Sequence, residues 1–115
     1  MISFIYRSYV KGEITLVIKE CFDMTVNKDD NKMNYFYRMT RSKFRNGHAY
    51  GIEIERQDIV KGALVNIERE GIDIISADEG KVKKLFDLVS QNNVSPIHLI
   101  DVIGEYVDEY VSEFN

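Results

Sequence analysis

The segment Tyr35–Arg56, YFYRMTRSKFRNGHAYGIEIER, decides the fold. Apolar and polar residues alternate on both sides of Asn46-Gly47, and no acid appears before Glu53. Alternation with period two marks half-buried strands, and Asn-Gly marks a hairpin turn whose central residues need positive φ. With Asn46-Gly47 as a two-residue loop, paired residue numbers add to 93. Arg38 is then expected opposite Glu55, Thr40 opposite Glu53, Met39 opposite Ile54 and Tyr37 opposite Arg56. One face becomes charged and complementary, and the other carries Tyr35, Tyr37, Met39, Ile52 and Ile54. Arg41 falls among the apolar set and is expected beyond the edge of the core.

Outward from this hairpin, the preceding chain also has strand character. ISFIYRSYV and EITLVIKECF are rich in β-branched and aromatic residues, with Lys11-Gly12 between them suited to a tight turn. NKDDNK, residues 27–32, reads as a loop. A second Lys-Gly, Lys61-Gly62, separates the hairpin from ALVNIERE, and a short IDII follows.

The last third is helical. Ser76-Ala77-Asp78-Glu79 has the form of a capping box, and Val82, Leu85, Phe86 and Val89 recur at helical spacing up to Asn92-Asn93. Ser95 is expected to cap a second helix with Pro96 at its first position, and Val94 and Leu99 occupy the positions of a hydrophobic staple. Strands followed by helices define an α+β protein. Expected is an antiparallel sheet of four to five strands in meander order, then two helices on one face. The expected strands are about 2–10, 13–24, 33–45, 48–60 and 63–69, and the helices about 77–91 and 96–112, in one domain over 1–115.

In the terminal helix, Leu99, Ile100, Ile103, Tyr106, Val107, Tyr110, Val111 and Phe114 share an arc of roughly 140°, wider than the ~100° that one sheet needs. Tyr110 and Val111 thereby become candidates for a homodimer contact through this helix. Gly104 sits on the shoulder of the arc, where either a close backbone approach or simple tolerance explains it. The opposite face carries Asp101, Glu105, Asp108 and Glu109 without a lysine or arginine. It is either a solvated face or a docking surface for a basic partner.

At 115 residues with a net charge of −4, the chain has no global attraction for polyanions. A single cysteine, Cys21, excludes an intramolecular disulfide and fits a reducing cytoplasm. No signal peptide and no membrane-spanning run are expected.

From Met33 onward, YGIEIERQDIV, LVNIERE and VSPIHLIDVIGEYVDEYV resemble a family of short uncharacterised proteins of clostridia and related spore-forming bacteria. The resemblance implies a cytosolic bacterial setting and a compact domain. It carries no catalytic or binding residues, and residues 1–32 take no part in it.

Chemistry finds few carriers. His48 stands beside the hairpin turn and His98 in the first turn of the last helix. Two histidines and one cysteine spread over 78 positions do not make a metal-ligand spacing. Glu53 and Glu55 share a strand face, where cross-strand partners account for them better than a catalytic pair does. No nucleophile, phosphate-loop or dinucleotide motif is present. The expectation is therefore no catalytic residue, no cofactor and no metal. Two surfaces are left: Phe36, Arg41, Lys43, Phe44 and Arg45 on the hairpin, and Asp101, Glu105, Asp108, Tyr110 and Val111 on the last helix. Contact with an unknown partner protein is the leading expectation. Single-stranded RNA or DNA binding through 36–45 is the alternative, since it needs exposed aromatics beside basic groups.

Overall fold

The computed structural model describes residues 2–3, 7–11 and 14–114, with side-chain surroundings from Leu16 onward. Six strands, β1 (Ile2–Ser3), β2 (Arg7–Lys11), β3 (Ile14–Lys28), β4 (Asn31–Phe44), β5 (Gly47–Val60) and β6 (Ala63–Ser76), precede helices α1 (Glu79–Gln91) and α2 (Leu99–Ser112). A 3₁₀ turn, Pro96–His98, leads into α2. All strand pairs are antiparallel, in the order β1-β3-β4-β5-β6, and β2 also pairs with β3. The architecture is the expected α+β one, a meander followed by two helices. The expected strand 2–10 is present as two pieces, and Gly12 of the Lys11-Gly12 turn lies outside the described residues.

Two-residue turns join the four long strands, at Asp29-Asp30, Arg45-Asn46 and Lys61-Gly62. The loop expected over 27–32 is therefore absent. Asp29 adopts the left-handed region (φ 56°), which Asp tolerates better than most residues, so β3 and β4 pair up to Lys28 and Asn31. The Lys61 amide donates to the Asp30 carbonyl at 3.1 Å and ties two turns together.

The hairpin register differs from the expected one. Phe44 pairs with Gly47, so paired numbers add to 91 and the loop is Arg45-Asn46, with Arg45 at φ 55°. Arg38 faces Glu53, Thr40 faces Gly51, Met39 faces Ile52 and Tyr37 faces Ile54, while Arg41 faces Tyr50. Contacts that a local turn rule does not include move the turn: Phe44 and Arg45 are both held against Phe114, beyond α2. Because pairing slides by an even number of residues, every side chain keeps its face.

Tyr37, Met39, Ile52, Ile54 and Ile75 from the sheet meet Val82, Leu85, Phe86, Val89, Val94, Leu99 and Ile103 in one buried cluster. The Tyr37 hydroxyl donates to the Val94 carbonyl at 3.0 Å inside it. The turns between strands let all this apolar surface meet on a single side. α1 lies over β4 and β5, and α2 lies over β6. The alternate face holds a polar layer in which Arg38 bonds Glu53 (2.7 Å) and Glu55 (3.3 Å), and Arg69 bonds Glu55 (2.6 Å).

β6 runs unbroken to Ser76, joining the two short strands expected there, and this delays α1. Asp78, not Ser76, caps α1, accepting from the Lys81 amide at 3.2 Å, while the Ser76 hydroxyl accepts from the Asp78 amide. Ser95 makes no side-chain cap bond. With Pro96 lacking an N–H, the chain winds first as a 3₁₀ turn, and the Ser95 carbonyl accepts from His98.

The sheet takes only the middle of the α2 arc. Leu99 and Ile103 are fully buried, whereas Ile100, Tyr106 and Val111 are 51%, 45% and 41% exposed. A Cβ at Gly104 would meet only Ile100 Cγ2, at an ordinary 3.6 Å, so no close approach requires this glycine. Gly104→Ala is accordingly expected to stabilise the protein by up to about 1 kcal/mol. A raised midpoint in urea denaturation would show it, and a lowered midpoint would mean a neighbour does occupy that side.

Candidate interaction cleft at the hairpin tip

The tip of the β4–β5 hairpin reaches over to the end of α2 and the start of α1. Phe44 and Phe114 meet edge to face at 4.9 Å between ring centroids. The Arg45 guanidinium lies 5.0 Å from the centroid of Phe44 and 6.0 Å from that of Phe114, and it donates to the Phe114 carbonyl. This contact combines cation–π attraction with a charge-assisted hydrogen bond. Lys81 of α1 reaches Glu113 at 2.7 Å and sits 5.0 Å from the centroid of the Tyr110 ring. The ion pair with Glu113 holds the lysine above its ordinary pKa.

Between these elements lies an open cleft of about 510 Å³, lined by Phe44 to His48, Tyr50, Ala77, Glu113 and Phe114. Tyr50 links floor and wall. Burial first, then a hydrogen bond with Glu79, raises its hydroxyl pKa, and Arg41 opposes the shift. Through His48 the cleft adjoins a smaller groove of about 200 Å³ bounded by Val17, Arg41, Ser42 and Lys43. One end of the molecule thus gathers Arg41, Lys43, Arg45 and His48 around three aromatic rings.

Four of the five hairpin candidates, Arg41, Lys43, Phe44 and Arg45, come together here. Arg45, expected as part of an open hairpin surface, is bound to the α2 terminus. Phe36 is separate, about 26 Å from Phe44 along an extended strand. Its ring lies beneath Arg38, 5.5 Å from centroid to guanidinium. On α2, Asp101, Glu105, Asp108 and Glu109 are exposed as a row, Val111 is turned outward, and Tyr110 packs against the core. The cleft residues that sequence reasoning overlooked are Tyr50, Glu113 and Phe114, together with Lys81, which pairs with Glu113 beside the cleft. Only Phe114 had a signal, its place at the end of the apolar arc.

Among the described residues no group of three or more His, Cys, Asp or Glu could hold a metal ion. His98 is exposed, 3.8 Å from Asp101. Cys21 is half-buried on β3 opposite Arg38. No helix among the described residues is long and apolar enough to cross a membrane.

A twisted meander carrying two helices on one face, with an open aromatic-cationic cleft at one end, defines a small α+β protein. The chain belongs to a family of unknown function (DUF6514), whose model matches residues 17–109, from β3 into α2. The family region therefore begins earlier than Met33, and takes in the strand on which Cys21 lies. Nothing matches among curated proteins or among solved structures.

Proposed function

We propose that the protein is a non-enzymatic interaction module of the bacterial cytoplasm that grips an acidic segment of a partner protein at the hairpin tip. The cleft carries this reading, because it concentrates Arg41, Lys43, Arg45 and His48 on a molecule whose net charge is −4. A local patch of opposite sign to the whole selects orientation and accelerates encounter with an acidic surface. The aromatic walls add apolar contact area for a side chain of the bound segment.

Single-stranded nucleic acid is the second reading, favoured by the same basic-aromatic combination. It is weaker because the rings that would stack on bases are already engaged. Phe44 meets Phe114, Arg45 covers both, and Arg38 covers Phe36.

A photo-crosslinking residue in place of exposed Lys43, introduced in native cells, is expected to trap one protein reproducibly, whereas the same residue at Leu88 should not. With that partner purified, Arg41→Glu combined with Lys43→Glu should slow association about tenfold and leave the melting transition unchanged. Retention of single-stranded RNA or DNA at micromolar protein, with a steep loss on adding salt, would instead establish the nucleic-acid reading. A tip that crosslinks to nothing would overturn both.

A further inference from the structure

The dipeptide Glu113-Phe114, just beyond α2, divides one groove into two hollows. Ala77, Glu113 and Phe114 line both the cleft of about 510 Å³ and a second hollow of about 170 Å³ beside Asp78, Lys81 and Tyr110. Each part of the dipeptide meets a complementary group. The Glu113 carboxylate accepts from Lys81 Nζ at 2.7 and 2.9 Å, the Phe114 ring meets Phe44 edge to face, and the Phe114 carbonyl accepts from Arg45. Little else holds it there. Its two amides bond only to the preceding turn, at the Tyr110 and Val111 carbonyls, 3.1 Å each. Both side chains of the Lys81–Glu113 pair are more than a third exposed, and pairs so exposed contribute weakly. A segment with so few buried contacts opens locally far more readily than the core does.

We infer that Glu113-Phe114 is a resident stand-in for the partner's own contact, and that the partner segment carries an acidic residue directly beside an aromatic one. This rests on the reading of the hairpin tip as a grip for an acidic segment, and it gives that segment a second chemical feature. When the dipeptide lifts away, the two hollows join into one groove from Asp78 and Lys81 to Arg45 and His48. An incoming carboxylate takes Lys81, and an incoming ring takes Phe44 and Arg45. The resident carboxylate goes to Lys81, so the exposed Lys43 and His48 remain for further acidic groups of a longer segment. Those added contacts let it displace a contact made within the chain, whose effective concentration is on the order of millimolar.

The test uses the full chain carrying Glu113→Ala and Phe114→Ala together. Its probe is the acetylated, amidated peptide YVSEF, the sequence of residues 110–114. In titrations followed by amide resonances, this variant is expected to bind the peptide saturably, with shifts at Phe44 to His48 and at Lys81. The wild type should need about tenfold more peptide, because its own dipeptide competes. A peptide YVSKA should shift neither protein. Should the double variant lose its native spectrum, Glu113→Gln alone should still bind YVSEF about threefold more tightly than the wild type, the worth of an exposed ion pair. Absence of saturable binding to the emptied chain would overturn the inference, and the crosslink at Lys43 would still decide whether the tip meets a protein. Equal affinity of wild type and variant would overturn it as well. So would a wild-type dimer that the double variant loses, since the dipeptide would then occupy the groove of a second copy.

Discussion

Gly51→Ala is expected to cost at least about 3 kcal/mol and to abolish cooperative folding if the rest of the sheet cannot absorb it. A Cβ at this position would stand 2.5 Å from the Asp73 carbonyl oxygen and closer still to that of Ile72. Both atoms are backbone, so no rotamer change relieves the clash. The crowding arises where pairing between β5 and β6 shifts, between Tyr50 and Ile52, and β6 leans across the missing side chain. Making room would separate the two strands beside Ile52, Ile54 and Ile75, which are fully buried. Gly47→Ala is the control, because nothing lies within 4 Å of a Cβ there. Chemical denaturation of the two variants checks the difference; similar midpoints would refute the close approach.

Arg38→Glu should be nearly as damaging, about 3 kcal/mol at neutral pH, because it removes a cation from a buried pair and adds a third carboxylate. Glu53 and Glu55 are each about 5% exposed, and Arg38 bonds both. Burial opposes ionisation of Glu55, but hydrogen bonds from Arg69 and Gln57 and the charge of Arg38 outweigh it and hold its pKa below the usual value. A carboxylate depressed in this way contributes stability above its unfolded pKa, and that stability is lost as pH falls through the folded value. The wild type should therefore lose stability on acidification. In the variant the like charges raise the carboxylate pKa values, so stability is lost as pH rises. Taking the variant from pH 7 to pH 5 should raise its melting temperature, the reverse of the wild-type trend. Adding Glu53→Arg should recover part of the loss at neutral pH. A variant whose pH slope matched the wild type would show that the three groups do not interact.

What could be read from the residues follows from the range of the forces involved. Alternation at 35–56 assigned each side chain to its face correctly, since burial sets a period of two along any strand. The pairing itself depended on Phe114, 70 residues beyond the turn, and no local rule contains that contact. The same limit applies to the capping residues. Ser76 satisfies a helix-start motif, yet strand pairing claims it first, and the 3₁₀ turn removes the task expected of Ser95. The cleft was half legible for the same reason. Its basic residues sit close together in one hairpin, whereas Tyr50, Lys81 and the adjacent Glu113 and Phe114 arrive from three different elements.

The strands are longer than the helices that cover them. Fourteen residues of strand extend about 46 Å, and fourteen of helix about 21 Å, in a molecule 49 × 27 × 23 Å. Residues 25–32 and 60–67 are exposed almost throughout and form an overhang beyond the two-layer part. Opening energy should therefore grade along each strand. Amides near Tyr37 and Ile54 should exchange with solvent only when the whole molecule unfolds, while those near Asp29 and Lys61 should exchange through local fraying. A single hydrogen-bonded ladder would then contain two kinetic populations, a slow one under the helices and a fast one at the far end.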